Sequence, residues 1–196
     1  MAVVSIKNKL RRGNLLVGND TFIPSSFESI ATVAVGSGGA SSVEFTSIGT
    51  DWTHLQVRFI GKSTRASGFN DFLVTLNGDT SASYALHLLY GNGSTVTATG
   101  VANQSTYVRI LANAIPSADT TNMFAAGIVD ILDYANTNKA KTLRALGGND
   151  LNGSGYLTLG SVLWTNTNAI TSLKFTPETF NWGQYTHFAL YGIKGA

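Results

Sequence analysis

Apolar and polar residues alternate along short segments from Phe27 onward, the pattern of β-strands with one buried face. Residues 43–45 and 55–59 alternate with a period of two, and residues 72–76 run into Asn77-Gly78, a strong hairpin signal because both positions tolerate positive φ. Further segments of this kind lie at residues 84–90, 107–111, 124–132, 155–160, 170–176 and 187–193. The pattern therefore predicts about nine or ten strands separated by turn signals.

The connections between these segments contain no helical pattern of 10–15 residues, which makes a parallel sheet with crossover helices a poor fit. Residues 133–141 are the one place where a turn or two of helix is expected. Antiparallel strands at these spacings predict an all-β fold, a two-layer antiparallel β-sandwich of the jelly-roll kind, with less than about 15% helix. We assign this sandwich to residues 25–196.

Residues 1–24 differ from the rest of the chain. Lys7, Lys9, Arg11 and Arg12 lie within six residues and supply four of the thirteen basic side chains, while the apolar residues follow no clean period. Such a segment has little core of its own, so it predicts an extended basic arm that contacts another subunit. The alternative is a frayed terminus, which is common for the first residues of a domain.

Charged residues make up only 12% of the chain, against about 25% in an average soluble domain. Threonine, serine, asparagine and 21 glycines carry the polarity instead. Neutral polar side chains cost less than charges to desolvate, so this composition favours a surface packed against neighbours over that of a free enzyme. The net charge of +2 is too small to indicate a nucleic-acid partner, and no specific nucleic acid is expected.

The chain contains no cysteine, which excludes disulfides, thiolate metal sites and cysteine nucleophiles. The first residues lack the apolar run of a secretory signal, and no window approaches the roughly 18 apolar residues of a membrane span. We therefore expect a protein that is made in a cytoplasm, stays soluble there and does not insert into membranes.

Residues that could carry catalysis do not combine into a recognisable site. Each histidine lies within a strand pattern, and the Gly-x-Ser-x-Gly motif of a nucleophilic serine is missing. Asp130 and Asp133 are three residues apart, which on a strand directs them to opposite faces. We predict no catalytic residues and no enzyme activity.

Two glycine-rich segments superficially resemble ligand loops. Residues 148–155 are rich in oxygen ligands, but they lack the aspartate ladder and the bidentate glutamate of a calcium loop. Residues 36–39 lack the Gly-Lys-Ser/Thr continuation of a phosphate-binding loop. We expect a hairpin loop and a strand connector here, with no metal and no cofactor.

The tryptophans are the best candidates for contact with a ligand or another subunit. Trp52, Trp164 and Trp182 each sit beside polar or turn residues, where an indole can stack on a sugar ring or anchor an interface. The loop 149–156 adds polar and aromatic side chains, namely Asn149, Asp150, Asn152 and Tyr156. The alternative is that tryptophans close the ends of the core, and at least two of the three are expected to be buried.

Several stretches occur in an order and spacing that resemble one protein family. They lie at residues 24–30 (PSSFESI), 36–43 (GSGGASSV), 54–58 (HLQVR), 76–79 (LNGD), 89–93 (LYGNG), 129–134 (VDILDY), 139–142 (KAKT) and 188–194 (FALYGIK). Together they resemble a module of tailed bacteriophages that forms small virion proteins and the C-terminal domain of longer tail fibres. The resemblance implies a β-sandwich without enzymatic activity that belongs to a virion.

The leading hypothesis is a structural and attachment component of a phage particle, at the tail fibre or tail periphery. Its partners would be other virion proteins, further copies of the chain (a trimer being favoured) and a host-surface glycan, and it would be assembled in the bacterial cytoplasm. The basic arm would dock onto the virion. The alternatives are a capsid decoration (cement) protein and a bacterial carbohydrate-binding module, the latter disfavoured by the lack of a signal peptide.

Overall fold

The structure is a computed structural model that describes residues 26–195 and, as backbone only, residues 2–5. Its strands are β1 (Ala2–Ser5), β2 (Phe27–Ala34), β3 (Val43–Thr46), β4 (His54–Gly61), β5 (Phe69–Leu76), β6 (Tyr84–Gly91), β7 (Val96–Gln104), β8 (Val108–Pro116), β9 (Ala125–Ile131), β10 (Lys141–Asp150), β11 (Gly155–Trp164), β12 (Leu173–Pro177) and β13 (His187–Ile193). Residues 26–195 contain no helix, and turns occupy the segment after β9 where a helical turn was expected.

The strands form two sheets that pack face to face. The smaller sheet has the order β1-β3-β12-β5-β8, and the larger sheet has the order β2-β13-β4-β9-β10-β11-β6-β7. Neighbouring strands are antiparallel except for β1 and β3, which are parallel. This arrangement confirms the predicted all-β, two-layer antiparallel β-sandwich.

The chain alternates between the sheets, as in a jelly roll. From β2 to β5 each strand lies in the sheet opposite its predecessor, and the same is true from β8 to β9 and from β12 to β13. Strands β2-β13-β4-β9 thus face β3-β12-β5-β8, two four-stranded sheets of jelly-roll order. The hairpins β6–β7 and β10–β11 are added beside β9, so the larger sheet extends beyond this framework.

The Asn77-Gly78 motif correctly predicted a turn with positive φ, but the hairpin predicted from it is wrong. Both residues have positive φ, 52° and 65°. However, the strands before and after them, β5 and β6, belong to different sheets, so the turn starts a crossover and not a hairpin. The actual hairpin follows β6, which pairs with β7 across residues 92–95.

The N-terminal residues begin at the edge of the smaller sheet. Ala2–Ser5 pairs in parallel with Val43–Thr46, so this first part of the predicted arm adds a strand to the sandwich. The basic residues Lys7, Lys9, Arg11 and Arg12 lie outside the described residues, and their docking role stays a prediction.

An aromatic cluster fills the space between the four-stranded halves. Phe59 and Phe188 of the larger sheet meet Phe72 and Phe175 of the smaller sheet, and Trp182 packs against Phe72 and Phe188. Their ring centroids are 4.5–5.9 Å apart, in stacked, tilted and edge-on arrangements that suit aromatic pairs. This cluster packs the two four-stranded halves against each other.

Strand β8 packs on the inner face of β10, β11 and β6, and glycine lets it approach closely. A Cβ at Gly160 would lie 2.0 Å from the carbonyl oxygen of Ile110, so only glycine fits there. Beside it, the Thr158 hydroxyl donates a hydrogen bond to the Ala112 carbonyl (2.7 Å). Because these contacts fix which face of β11 points inward, the opposite face is left at the surface.

Candidate interaction surfaces

Two of the three candidate tryptophans belong to the core. Trp164 and Trp182 are completely buried. The Trp164 indole Nε1 donates to the Asp79 carboxylate (2.7 Å), and Trp182 Nε1 donates to the Phe175 carbonyl (3.1 Å). Both indole N–H groups are therefore satisfied inside the protein, which confirms the expectation of at least two buried tryptophans and corrects the prediction that these two contact a ligand.

Trp52 is the remaining candidate among the tryptophans. It is half-buried and packs against the edge of the core. A Cβ at position 192 would lie 2.2 Å from its ring, so Gly192 of β13 allows the indole to lie against the backbone. Its exposed part remains open to another molecule.

Asn149 is a structural residue and not a loop contact as predicted. It is almost fully buried at the end of β10, and its Nδ2 donates to the carbonyl oxygens of Asn113 and Ala114, both at 3.0 Å. Its Oδ1 has no hydrogen-bond partner within residues 26–195. Asn149 therefore links the added hairpin to β8.

The rest of the predicted loop lies at one pole of the sandwich. Asp150 and Asn152 are exposed, and the Asn152 N–H donates to the Asp150 carboxylate (2.9 Å), which shapes the turn. Tyr156 is half-buried, with its ring edge-on to Phe69 (4.9 Å) and 6.3 Å from Tyr90. A shallow pocket of about 460 Å³ opens here between the loops that precede β5, β9 and β11.

Two exposed aromatic residues at the same pole were missed by the sequence analysis. Phe180 and Tyr185 lie in the β12–β13 loop with 64% and 72% of their surface exposed. Both have positive φ, 66° and 69°. The available signal was an aromatic residue within a run of polar turn residues, as in Glu-Thr-Phe-Asn and Gln-Tyr-Thr. With Tyr156, they give this pole several aromatic side chains among neutral polar ones.

The second candidate surface is the outer face of the larger sheet, where residues of neighbouring strands form rows. The first apolar row is Ile60, Ala126, Gly148, Leu157, Gly91 and Val96. The second apolar row is Ile128, Leu146, Leu159, Leu89 and Ala98, with Arg58 at its end. The polar row is Gln56, Asp130, Arg144, Ser161, His87 and Gly100.

The two apolar rows are unusually exposed for a sheet of this kind. The outer face of an antiparallel sheet is normally polar, yet Leu146, Leu157 and Val96 are 53%, 66% and 72% exposed. Six strands by two rows cover roughly 24 Å by 14 Å, or about 300 Å². The largest apolar patch on a typical monomer is of about this size and is often a functional surface.

The polar row crosses a shallow depression of about 510 Å³ at the β6–β7 side of this face. The His87 ring lies across the backbone at Gly100, where a Cβ would come within 2.8 Å of it. Arg144 and Ser161 also line the depression, together with Leu89 and Leu159 of the second apolar row. Within residues 26–195 the Arg144 guanidinium takes part in no hydrogen bond or ion pair, so its donors are available to another molecule.

His54 and Asp130, two titratable residues considered for catalysis, have structural partners. His54 Nδ1 accepts a hydrogen bond from the Asp133 N–H (3.0 Å), and the Gln56 amide donates to the Asp130 carboxylate (2.8 Å). No group of three metal-ligating side chains occurs in the described part of the chain. Nor does that part contain a helix long and apolar enough to cross a membrane.

Comparisons with known proteins give no match. No protein-family model, no curated protein and no solved structure is significantly similar to the chain.

Proposed function

We propose that this chain is a non-enzymatic structural component of a tailed-phage virion, located at the tail fibre or tail periphery, where it contacts the host surface. The observation that carries the proposal is the apolar outer face of the larger sheet. Exposure of this many aliphatic side chains to water is unfavourable in free energy, and covering them in an assembly removes this unfavourable contribution. The resemblance of the sequence to phage virion proteins is the reason for proposing a virion as this assembly.

The surface composition supports the same proposal. With 12% charged residues, the chain has few side chains that resist desolvation at a subunit interface. The cores of protein–protein interfaces are depleted of charged residues, so neutral polar and aliphatic surface of this kind suits contact with other subunits. Further copies of the chain and other virion proteins are its proposed partners.

The pole with the exposed aromatic residues is the proposed host-contacting end. Tyr156, Phe180 and Tyr185 supply rings that can lie against a sugar face, and Asp150 and Asn152 supply hydrogen-bonding groups in the β10–β11 turn next to Tyr156. One such site binds a glycan weakly, but several copies on one particle raise the avidity by roughly 10²–10⁴.

Virions of the phage that encodes the chain provide the test. Mass spectrometry of density-purified particles should detect the chain, and gold-labelled antibodies against it should decorate tails in electron micrographs. Gold over the heads would replace the tail assignment with the capsid decoration alternative. If purified particles lack the chain while the infected-cell lysate contains it, the virion proposal fails.

A further inference from the structure

We propose that the outer face of the larger sheet binds the same face of a second copy, with a two-fold axis that runs along the strands between β10 and β11. The inference rests on the proposed assembly role but not on the virion. It assigns the contact to a particular surface and a particular register. In this arrangement β10 of one copy lies over β11 of the other, and β9 lies over β6.

The second apolar row is self-complementary under this axis. Leu146 of one copy faces Leu159 of the other, and Ile128 faces Leu89, because these residues occupy equivalent distances from the line between β10 and β11. Leu89 and Leu159 border the depression, which therefore receives Ile128 of the second copy. All four side chains are exposed in the single chain and become buried in the pair.

In the first apolar row, residues that face each other across the axis are complementary in size. Leu157, the most exposed leucine of this face, lies opposite Gly148 of the second copy. Next to this pair, Ala126 faces Gly91. A large side chain opposite a glycine lets two sheets approach to the roughly 10 Å that separates packed sheets.

The polar row places hydrogen-bonding groups of the two copies opposite each other. The Asp130 carboxylate of one copy faces His87 of the other, whose ring nitrogens have no hydrogen-bond partner within residues 26–195. Arg144 faces Ser161 of the second copy. Asp130 and His87 lie at equal distances on opposite sides of the axis, so a His87 ring N–H of each copy can donate to the Asp130 carboxylate of the other, a contact made twice under the two-fold axis.

The area is sufficient for a stable pair. The three rows cover about 24 Å by 20 Å, and Thr142, Leu163 and Ala85 add a fourth row on β10, β11 and β6, which gives roughly 550 Å² of projected surface on each copy. Standard interfaces bury about 600–1,000 Å² on each partner. The apolar rows alone would be too small, so the polar row is part of the contact.

Sedimentation equilibrium of the purified full-length chain tests the proposal. The wild type should form a dimer, and Leu146→Lys should weaken it at least about 100-fold, since two leucines per dimer are replaced by charges. Tyr185→Lys, at an exposed position of the pole, should leave the dimer unchanged. Circular dichroism and thermal unfolding check that each variant is folded. Should Leu146→Lys fail to fold, Leu157→Lys tests the same face.

A charge exchange tests the register. Asp130→Lys should weaken the dimer, and adding His87→Glu in the same chain should restore it, because each lysine then faces a glutamate of the other copy. A wild type that is monomeric at about 100 µM or only trimeric, a dimer that survives Leu146→Lys, or a double variant that stays monomeric would each overturn the proposal. The virion test is independent, because particles can contain the chain whether or not this face pairs with itself.

Discussion

Substitution of Asp79 tests which hydrogen bonds stabilise the crossover between β5 and β6. Its carboxylate lies beside the sandwich end and accepts four hydrogen bonds. They come from the backbone N–H (2.9 Å) and hydroxyl (2.6 Å) of Ser81, the hydroxyl of Ser83 (2.7 Å) and the buried indole of Trp164 (2.7 Å). The change considered is Asp79→Ala, which removes all four acceptor contacts at once.

The loss of stability depends on which of these donors can form a hydrogen bond with water after the substitution. The Ser81 donors lie at the surface, so their loss costs little once water replaces the carboxylate. The Trp164 indole is completely buried, and leaving its N–H unpaired costs about 1–3 kcal/mol. Together with the weakened turn, Asp79→Ala should lower the free energy of unfolding by about 2–4 kcal/mol at pH 7.

The effect should depend on pH. Burial alone would raise the pKa of Asp79, but the hydrogen bonds from Ser81, Trp164 and Ser83 outweigh it and hold the pKa well below its usual value. Because the folded-state pKa lies below that of the unfolded chain, near 3.9, the stabilisation is complete above about pH 5 and is lost as the pH falls further. The difference in stability between wild type and Asp79→Ala should therefore shrink toward pH 3.

Urea unfolding followed by tryptophan fluorescence at pH 7 and pH 3 measures both effects. Asp150→Ala is the matched control, since its exposed carboxylate accepts one backbone hydrogen bond in a surface turn, and its cost should stay below about 1 kcal/mol. The reasoning would be refuted if Asp79→Ala were no more costly than the control. It would also be refuted if the cost at pH 3 equalled that at pH 7.

Three further predictions concern the scaffold and the pole. Lys141 is buried, and its ammonium donates hydrogen bonds to three loop carbonyls at 2.6–2.8 Å. Lys141→Met should therefore lower the free energy of unfolding, measured by urea titration, by about 3 kcal/mol. The control Lys139→Met changes an exposed lysine and should alter the free energy of unfolding little. Gly160→Ala should reduce thermal stability sharply or prevent folding, because its Cβ would overlap a carbonyl of β8, and a normal melting temperature would contradict the close approach. Tyr156→Ala should reduce binding of the labelled protein to host cells without a change in circular dichroism. Tyr107→Ala, at the opposite pole, should leave this binding unchanged. If both variants bind host cells equally well, Tyr156 is not part of the contact.

The glycines of β10 show where sequence patterns mislead. Residues 148–155 read as a loop, yet β10 extends to Asp150 and carries Gly147 and Gly148 within the strand. A Cβ at Gly148 would lie 2.2 Å from the Tyr156 carbonyl, and one at Gly147 would lie 2.8 Å from the Leu111 side chain. Glycine is needed at Gly148 for a close contact within the β10–β11 hairpin and at Gly147 for a contact with β8, which is distant in sequence, and a local pattern reveals neither contact.

The sequence by itself determined the local elements, because the alternation of apolar and polar residues and the turn-forming glycines and asparagines act over a few residues. It therefore predicted the β class, the antiparallel sandwich and the burial of at least two tryptophans. In β11, however, Leu157 and Leu159 favour one buried face, while the structure buries the face of Thr158 and Gly160. Only the tertiary structure decided this, because β8 packs so closely on that face that small residues fit and leucines do not. The leucines are thereby left on the outer surface, where the proposed contact between two copies would cover them.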